Sequence, residues 1–458
     1  MPAYSLEEIR QLEEWDQRFV WHPFTQMREY LQEPPLIFSQ GEGVYLYDVQ
    51  GNRYFDGNSS LWVAIHGHGR KELSDAIKAQ LDRVAHTTLL GPANVPSIQL
   101  AKRLVEITPP SLDKVFYSDN GSTAVEIALK MAFQYWRQCR PPRMERTSYL
   151  SFREAYHGDT VGSVSVGGIE LFHSIFGPLL FKHFSVPYPV YSKYTSKESP
   201  ETISAQALEQ CEKTLKNHAH EIAAVLIEPL VQGAAGIRTQ APGFLRGLRE
   251  LCDRYEVFLI TDEVFTGFGH TGKLFACEHE NVTPDFMTLA KGLTGGYLPL
   301  AATMTTQQVF DGFLGTYSEF RTFFHGHTYT GNQLGCAAAL ASLDLFEKDN
   351  TLERLQPLII HFEKKLDDLF ERCDAVADIH QIGLVAGIDL CRSRRRQEFY
   401  TLEERVGAKI CFDLRKYGIW LRPLGNTLVL VPPLISTAEQ LDHLIFSIEH
   451  SLDGYSVA

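Results

Sequence analysis

Residues 257–269 read VFLITDEVFTGFG, and residues 286–292 read FMTLAKG. Both segments open with a short apolar run that ends in polar residues, which is the pattern of a buried strand in a parallel sheet. Asp262 and Lys291 therefore fall just beyond two successive strand ends, at the edge of an open sheet where ligands bind. Taken alone, Asp262 would more often be a helix cap and Lys291 a surface cation, because isolated motifs have high false-positive rates.

The pair matches the needs of pyridoxal 5'-phosphate (PLP) chemistry. A lysine forms a Schiff base with the cofactor, and an acid keeps the pyridine nitrogen protonated so that the ring can accept electrons from the substrate's α-carbon. We therefore predict that Lys291 carries this cofactor and that Asp262 pairs with its ring nitrogen.

Other apolar runs alternate with helical patterns on both sides of this stretch. The predicted strands are residues 114–117, 147–152, 223–228 and 257–262. Between them, Val125, Leu129, Ala132 and Phe133 share one face of a predicted helix. This alternation predicts an α/β fold built on a mainly parallel sheet.

The pattern changes towards both ends of the chain. Residues 41–57 alternate in polarity and predict a small antiparallel sheet outside the main one. From about residue 341 onward, helices frame shorter strands, predicted at 419–422 and 428–431 and joined as a hairpin through Gly425 and Asn426. The last helix is predicted to begin with a capping box of Ser436 and Glu439. A smaller C-terminal domain follows from this pattern.

Two further segments fit the same chemistry. In residues 117–123, a strand leads into a helix through Gly121, Ser122 and Thr123, where free N–H groups and hydroxyls can bind a phosphate. An ordinary helix N-cap explains this segment equally well. Residues 155–158 follow another strand, and Tyr156 can stack on a planar cofactor there, although a tyrosine at such a position is more commonly a core residue.

Two alternatives compete with this interpretation. Gly267, Gly269 and Gly272 have the glycine spacing of a dinucleotide fingerprint and follow a strand, which favours a dehydrogenase. No helical apolar period begins at Gly272, however, so a tight loop fits better. The histidine pairs at 66/68 and 325/327 have no third ligand at customary spacing, so we expect no metal.

The composition excludes several classes of protein. A formal net charge of -13 argues against general attraction to nucleic acid or anionic membranes. The basic run of residues 392–396 has no interleaved aromatics and is expected to be a solvated loop. The eight cysteines contain no Cys-x-x-Cys pair, and we find no signal peptide and no apolar stretch long enough to span a membrane. We therefore expect a cytoplasmic protein that acts on small molecules.

Taken together, the chain resembles the class III PLP-dependent aminotransferases over nearly its full length, and within them the 7,8-diaminononanoate synthases of biotin biosynthesis. The narrower match rests on residues 21–27 (WHPFTQM), 59–62 (SSLW), 156–160 (YHGDT), 271–278 (TGKLFACE), 325–332 (HGHTYTGN) and 420–423 (WLRP). The resemblance implies transferase fold type I, with a mainly parallel seven-stranded sheet in the large domain and a smaller α+β domain. It further implies an N-terminal segment (1–65) packing with the small domain, a large PLP-binding domain (66–340), a C-terminal small domain (341–458), and a homodimer with shared active sites.

The resemblance also assigns roles to residues. The catalytic residues would be Lys291, Asp262 and Tyr156. The cofactor-binding residues would be Gly121, Ser122, Tyr156, Glu228, Asp262, Lys291, His327 and, from the other subunit, Thr328. The substrate-binding residues would be Phe24, Leu61, Trp62, Tyr156, Lys291, Gly326 and Arg422. Arg422 would bind the acceptor's carboxylate, since a guanidinium donates two parallel hydrogen bonds, although a lone arginine is more often a surface residue.

The implied reaction is transamination of 8-amino-7-oxononanoate to 7,8-diaminononanoate with S-adenosylmethionine or lysine as amino donor. Many family members have tyrosine at the position of Phe24 and a tryptophan pair at residues 61–62. The loss of a phenol removes a hydrogen-bonding group from the substrate pocket, and Phe24 resembles a lysine-using branch. Another class III enzyme acting on an ω-amino acid or diamine, and a non-catalytic binding protein of the same fold, remain as alternatives.

Overall fold

A computed structural model of the chain describes residues 4–455; residues 1–3 and 456–458, the outer ends of the first and third predicted segments, lie outside the described residues. The strands, in chain order, are β1 (Phe38–Glu42), β2 (Tyr45–Asp48), β3 (Arg53–Asp56), β4 (Leu112–Ser118), β5 (Ser148–Phe152), β6 (Phe184–Val186), β7 (Ile222–Ile227), β8 (Val231–Gln232), β9 (Arg238–Thr239), β10 (Phe258–Asp262), β11 (Phe286–Leu289), β12 (Ala301–Thr306), β13 (Val376–Ile382), β14 (Val385–Ser393), β15 (Glu398–Phe399), β16 (Ile419–Trp420), β17 (Pro423–Leu424) and β18 (Thr427–Leu430).

The helices, in chain order, are α1 (Leu6–Phe19), α2 (Met27–Tyr30), α3 (Ser59–Trp62), α4 (Lys71–Leu81), α5 (Val95–Ile107), α6 (Gly121–Gln138), α7 (Val161–Ser165), α8 (Glu170–His173), α9 (Pro200–His218), α10 (Phe244–Arg254), α11 (Gln307–Asp311), α12 (Gln333–Lys348), α13 (Thr351–Arg372), α14 (Val406–Asp413) and α15 (Ala438–Asp453). Short 3₁₀ segments lie at Ser174–Leu179, Ala276–Glu280, Lys291–Thr294, Tyr317–Glu319 and Leu414–Tyr417.

The large sheet has seven strands in the order β4-β12-β11-β10-β7-β5-β6. Strands β11, β10, β7, β5 and β6 are parallel to their neighbours in this order, and β12 runs antiparallel between β4 and β11. The predicted α/β fold with a mainly parallel seven-stranded sheet is confirmed. The four strands predicted from apolar runs are also confirmed, with ends shifted by one or two residues.

The central strand β10 is buried along its whole length because helices cover both faces of the sheet. Phe258 and Ile260 pack in one cluster with residues of α6, whereas Leu259 between them packs in another cluster with residues of α10. Side chains alternate between the faces of a strand, so a strand covered on both sides has to be apolar throughout. Its continuous apolar run follows from this position.

Two smaller sheets frame the rest of the chain. Strands β1, β2, β3 and β16 form the first, and β13, β14, β18 and β17, with β15 paired at the side, form the second. The predicted small sheet near residues 41–57 is confirmed, but its edge is a parallel strand from far along the sequence, because Ile419 pairs with Phe55. The predicted domain boundaries stay a proposal; α12 continues without a break through residue 340.

Two local predictions in the C-terminal part were wrong. Residues 419–420 do not form a hairpin with β18; the hairpin is made by β17, and the turn passes through Gly425 at a positive φ of 59°. Strand β16 belongs to the first small sheet, whereas β17 and β18 belong to the second. The apolar run in the sequence gives no sign of this change of sheet. The last helix is capped by Thr437 with Gln440, one residue later than predicted, because the Ser436 hydroxyl donates to the Pro433 carbonyl instead.

Within residues 4–455, no helix is both long and apolar enough to cross a membrane.

We expect Ile260→Ala to lower the free energy of unfolding by about 2–5 kcal/mol, because it leaves a cavity in the central strand, where Ile260 is 0% exposed. Ile360→Ala, at a helix position that is 68% exposed, is the matched control and should change stability by less than about 0.5 kcal/mol. Urea unfolding followed by circular dichroism measures both. Equal losses in the two variants would contradict the buried position of Ile260.

Candidate active site

Lys291 begins the short turn that follows β11, and its backbone has a positive φ of 45°. Its Nζ lies 4.7 Å from the ring centre of Trp62 and 5.6 Å from that of Phe265. Burial lowers the pKa of Lys291 to about 8, although the nearby Asp262 and Glu228 carboxylates oppose the shift. A buried lysine with a lowered pKa carries a neutral amine more often than an exposed one, which suits a nucleophile or a proton acceptor.

Asp262 ends β10 and is almost fully buried, so both of its oxygens need hydrogen bonds. One oxygen accepts from the Thr288 hydroxyl at 3.0 Å and from the Val264 N–H at 3.1 Å. The other lies 2.7 Å from Nδ1 of His157, whose side chain is 0% exposed. A carboxylate only accepts, so Nδ1 carries the proton of this bond. The three partners fix the orientation of the carboxylate at the carboxyl end of β10.

Glu228 follows the last residue of β7 and is also buried. Its two carboxylate oxygens accept from the N–H groups of Tyr156 and Gly233, each at 3.0 Å. Burial raises the pKa of Glu228 to about 7, with a further contribution from Asp262. The cavity thus holds two carboxyl groups whose surroundings differ, and only Asp262 contacts an imidazole.

The start of α6 forms another part of the cavity wall. Asn120 is the N-cap, and its side chain accepts from the Thr123 N–H at 3.1 Å. The Ser122 hydroxyl lies 2.8 Å from that of Thr160 and accepts from the Thr160 N–H. Asn120 therefore caps the helix, as the alternative interpretation predicts, and the N–H groups before Thr123 and the two hydroxyls leave a site suited to an anion. Phosphate binding at this segment stays a prediction.

A glycine is required where the next loop approaches this helix. Gly158 has a φ of 110°, and an added Cβ would lie 2.4 Å from the Cβ of Ser122. A side chain at Gly121 would similarly lie 2.5 Å from Cγ1 of Val264. The backbone itself therefore forms this part of the cavity wall, as expected where a phosphate approaches closely.

The cavity has a volume of about 630 Å³. The structure brings seven of the predicted site residues together in its lining: Trp62, Gly121, Ser122, Tyr156, Glu228, Asp262 and Lys291. The hydroxyl of Tyr156 donates to Asp159 at 2.8 Å, and its ring lies parallel to that of His173 at 6.3 Å. A volume of several hundred Å³ in which polar groups converge is typical of a small-molecule site.

Six predicted site residues lie outside this lining: Phe24, Leu61, Gly326, His327, Thr328 and Arg422. Phe24 is 60% exposed, and its ring contacts that of Phe172. Gly326 and Thr328 lie in an exposed segment, and His327 between them reaches the cavity residue Asp119 through a 2.7 Å contact between Nδ1 and Oδ2. Arg422 is exposed, and its guanidinium bonds to no residue of the described chain. The roles of these residues stay predictions.

Four residues of the site have no role in the predictions from sequence. His157, next to Tyr156, contacts Asp262 directly. The other three are Thr160, Phe265 and Thr288. The position of His157 next to Tyr156 was an available signal. For Thr288 there was none, since its contact depends on the pairing of Asp262 with Thr288 between adjacent strands.

The alternative based on glycine spacing does not fit the local structure. Gly269 and Gly272 lie at positive φ in a loop that folds back on Glu263, and no α-helix begins at Gly272. The buried Glu263 carboxylate accepts from the N–H groups of Ala276 and Cys277 at 2.9 and 2.8 Å. A dinucleotide site needs a helix that starts at these glycines, so the dehydrogenase interpretation is set aside.

One side-chain group within residues 4–455 has the spacing of a metal site: Asp378, His380 and Asp389. Asp389 already pairs with the Arg238 guanidinium, and Asp378 accepts from the hydroxyls of Ser192 and Thr195. This group lies on β13 and β14, away from the cavity lined by Lys291. Its hydrogen bonds account for its carboxylates without an ion.

Comparisons with known proteins agree with this geometry. The family model described as "Aminotransferase class-III" matches residues 27–452. The adenosylmethionine-8-amino-7-oxononanoate aminotransferase of Geobacter sulfurreducens is 51% identical over 453 residues, covering 99% of each chain. A crystal structure of the protein of that name from Methanocaldococcus jannaschii is 44% identical, with a TM-score of 0.92 over 98% of this chain and 100% of the other. An omega transaminase from Pseudomonas jessenii in complex with PMP is 28% identical, with a TM-score of 0.91 over 97% of this chain and 98% of the other.

We expect Lys291→Met to stabilise the ligand-free chain below pH 8. Folding lowers the pKa of Lys291 from 10.5 to about 8, so between these values the unfolded chain binds more protons and stability rises with pH. The cost of the buried charge is therefore greatest below pH 8 and disappears towards pH 10.5.

Urea unfolding from pH 6 to 10 measures this effect. At pH 7 the Lys291→Met chain should be more stable than the original by on the order of 2 kcal/mol, and the difference should shrink between pH 8 and pH 10. Lys364→Met, at an exposed helix position, is the control and should show no such pH dependence. A constant difference across the range would contradict the lowered pKa.

Proposed function

The chain belongs to the class III aminotransferases, and we propose from this premise that it transfers an amino group to 8-amino-7-oxononanoate, giving 7,8-diaminononanoate in biotin biosynthesis. The similarity to proteins named for this reaction extends over the whole chain at 44–51% identity, which supports the substrate assignment. The observation that carries the chemistry is the single cavity in which Lys291, Asp262 and the start of α6 meet. We propose PLP as the cofactor and S-adenosylmethionine or lysine as the amino donor.

The residues of the cavity fit PLP. The N-terminus of α6 and the hydroxyls of Ser122 and Thr160 suit its phosphate, and the bare backbone at Gly121 and Gly158 leaves room for it. Asp262, oriented by three hydrogen bonds, would hold a proton on the ring nitrogen. Tyr156 would stack near the ring, and Glu228 would lie near its hydroxyl group. When bound, PLP supplies an aldehyde that condenses with amines and a ring that withdraws electrons from the adjoining carbon.

Lys291 is proposed to hold the cofactor. It would also move a proton between the substrate's α-carbon and the cofactor. Its Nζ is suited to this task because a pKa of about 8 leaves roughly a tenth of the amine neutral at pH 7, far more than in an exposed lysine. The rings of Trp62 and Phe265 exclude water on one side of the amine. A dry site strengthens the attraction between the ammonium form and the Asp262 carboxylate.

Part of the site is proposed to come from a second copy of the chain. Residues 326–328 lie outside the lining of their own cavity, and the apolar side chains Phe320, Phe324 and Tyr329 beside them are exposed. Thr328 of one chain would then bind the phosphate in the other, while Gly326 would contact substrate and His327 the cofactor. These features support a homodimer with shared active sites, and exposed apolar patches are typical of such interfaces.

The substrate pocket is proposed to include Phe24, Leu61, Trp62, Tyr156 and Arg422 as well as Lys291. Arg422 supports this assignment because it is an exposed guanidinium with no partner among residues 4–455. Its backbone N–H nevertheless has a defined position, donating to Asn58 at 2.6 Å in the amide orientation that satisfies both neighbours of that side chain. A carboxylate-bearing substrate offers the bidentate partner that this side chain lacks.

A second candidate is transamination of an ω-amino acid or a diamine. The structural similarity to an omega transaminase with a TM-score of 0.91 favours it, although the identity is only 28%. The two candidates share the cofactor chemistry and differ in the amino donor and acceptor, so a substrate experiment separates them.

The test is a half-reaction scan of the PLP-loaded chain. We expect S-adenosylmethionine or lysine to remove the visible absorbance of the bound cofactor, and subsequent addition of 8-amino-7-oxononanoate to restore it with formation of 7,8-diaminononanoate, measured by mass spectrometry. A response only to ornithine or 4-aminobutyrate would favour the second candidate.

Lys291→Ala should fold but lack both the visible cofactor absorbance and turnover, whereas Lys273→Ala, outside the cavity, should keep both.

For Arg422→Ala we expect the KM for 8-amino-7-oxononanoate to rise roughly 10- to 100-fold, the range of a lost charge-assisted hydrogen bond. Arg422→Lys keeps the charge but not the planar pair of donors, so its KM should lie between those of the original chain and of Arg422→Ala. Cofactor affinity, measured by absorbance titration, should change little. An equal loss of cofactor and substrate binding would argue against the assigned role.

A further inference from the structure

Residues 59–62, the segment labelled α3, form a left-handed turn of the main chain and not a right-handed helix. The φ angles of Ser59, Ser60, Leu61 and Trp62 are 45°, 49°, 71° and 70°, and none of the four is glycine. The Trp62 N–H bonds to the Asn58 carbonyl and the Val63 N–H to the Ser59 carbonyl, which closes the turn. Left-handed backbone is unfavourable for each residue with a Cβ, so four in succession require compensation from their surroundings.

The compensation comes from a buried carboxylate. Asp56, which ends β3 and is 0% exposed, accepts from the Ser60 N–H at 3.0 Å and from the Ser60 hydroxyl at 2.8 Å. A second contact is the Ser59 hydroxyl, which donates to the Val431 carbonyl at 2.6 Å. The turn is therefore bonded to the end of β3 and to the residue after β18, and Asp56 forms the only pair of side-chain bonds to Ser60 among residues 4–455.

Asp56 is itself held by His68. The His68 Nε2 lies 2.8 Å from Oδ2 of Asp56, the same oxygen that accepts the Ser60 hydroxyl. The backbone of His68 is fixed by two hydrogen bonds with Gly43, and its side chain packs so closely on Gly41 that a Cβ there would lie 2.7 Å away. His68 therefore has little freedom to move, and the carboxylate between it and Ser60 is fixed from both sides.

The turn carries residues of the cavity. The Trp62 ring lies 4.5 Å from that of Phe265 and 4.7 Å from Nζ of Lys291, and Leu61 beside it is 51% exposed. With a right-handed backbone at Ser60 and Leu61, the side chains of Leu61 and Trp62 would point in different directions from those observed. The position of this part of the cavity thus depends on bonds made some residues away, by groups that do not line the cavity.

We propose that Asp56 and His68 are positioning residues that hold the 59–62 turn in its left-handed form and thereby fix Leu61 and Trp62 for substrate binding. The inference deepens the proposed function and rests on it for the identity of the substrate. Asparagine at residue 56 has one oxygen in place of two, so it can accept from the Ser60 N–H, or from the Ser60 hydroxyl and His68 Nε2 that share the other oxygen, but not from both.

The test compares Asp56→Asn with Asp48→Asn. Asp48 is the matched control because it is a buried aspartate in the same sheet whose carboxylate accepts from Asn52 and Tyr54 and does not contact the turn. We expect Asp56→Asn to raise the KM for 8-amino-7-oxononanoate about tenfold, with kcat changed less than about threefold and cofactor affinity unchanged. Asp48→Asn should lower thermal stability without moving KM. An equal KM shift in both variants would overturn the proposal.

A glycine tests the strain argument itself. In the Asp56→Asn background, Ser60→Gly removes the cost of the left-handed backbone, whereas Ser60→Ala keeps it, and both remove the hydroxyl. The glycine variant should recover KM to within about threefold of the original chain and the alanine variant should not. Equal behaviour of the two would show that backbone strain is not what Asp56 offsets.

A readout without activity separates this inference from the proposed function. Near-ultraviolet circular dichroism of the ligand-free chain reports the packing of Trp62, and Trp62→Phe identifies its contribution. Asp56→Asn should lose that contribution and Asp48→Asn should retain it. If the original chain does not aminate 8-amino-7-oxononanoate, the proposed function fails while this comparison still decides the role of Asp56. An unchanged Trp62 signal in Asp56→Asn would overturn the inference.

Discussion

The Asp262 carboxylate is buried, and a buried carboxylate is tolerated only where hydrogen-bond donors surround it. Its donors come from three parts of the chain: the loop after β5 supplies His157, β11 supplies Thr288, and the residues just beyond β10 supply the Val264 N–H. They converge only when β10 and β11 pair in one register, with Asp262 opposite Thr288. A shift of one residue would turn the carboxylate to the other face of the sheet. The same register sets where β11 ends, and therefore where Lys291 enters the cavity.

The electrostatics of the cavity follow from this arrangement. Burial disfavours every charge, so it lowers the pKa of Lys291 to about 8 and raises that of Glu228 to about 7. Asp262 is distinguished from Glu228 by its contact with the imidazole of His157, whereas the Glu228 carboxylate accepts from the backbone N–H groups of Tyr156 and Gly233. Two carboxyl groups near one lysine can thus have separate tasks, because one contacts an imidazole and the other only backbone amides among the described residues.

Much of this site was predictable from the sequence, for a physical reason. Strands covered on both faces are continuously apolar, so their ends are marked where polarity resumes, and ligand-binding residues of a parallel sheet lie at those ends. Lys291, Asp262, Glu228 and Ser122 were found in this way or through the resemblance that their motifs support. The register between neighbouring strands and the geometry of turns cannot be recognised from a change of polarity in the sequence. Thr288 was therefore missed, and the strand at 419–420 was assigned to the wrong sheet.

The actual pairing of residues 419–420 shows how the two small sheets are connected to the rest of the chain. Strand β16 pairs with β3, which ends at Asp56, and the next residues of the same segment bring the Arg422 N–H to Asn58. Val431, just beyond β18, accepts from Ser59 and donates to the Gly57 carbonyl. The start and the C-terminal part of the chain therefore meet at the left-handed turn, while Lys291 approaches the same turn from the large sheet. Because the turn is bonded to the end of β3 and to the residue after β18, a shift of either strand relative to the large sheet would also shift the backbone that carries Leu61 and Trp62. That coupling gives a reason for fixing an unfavourable backbone with a buried carboxylate, since a flexible glycine-rich turn would not hold Trp62 against the other residues that line the cavity.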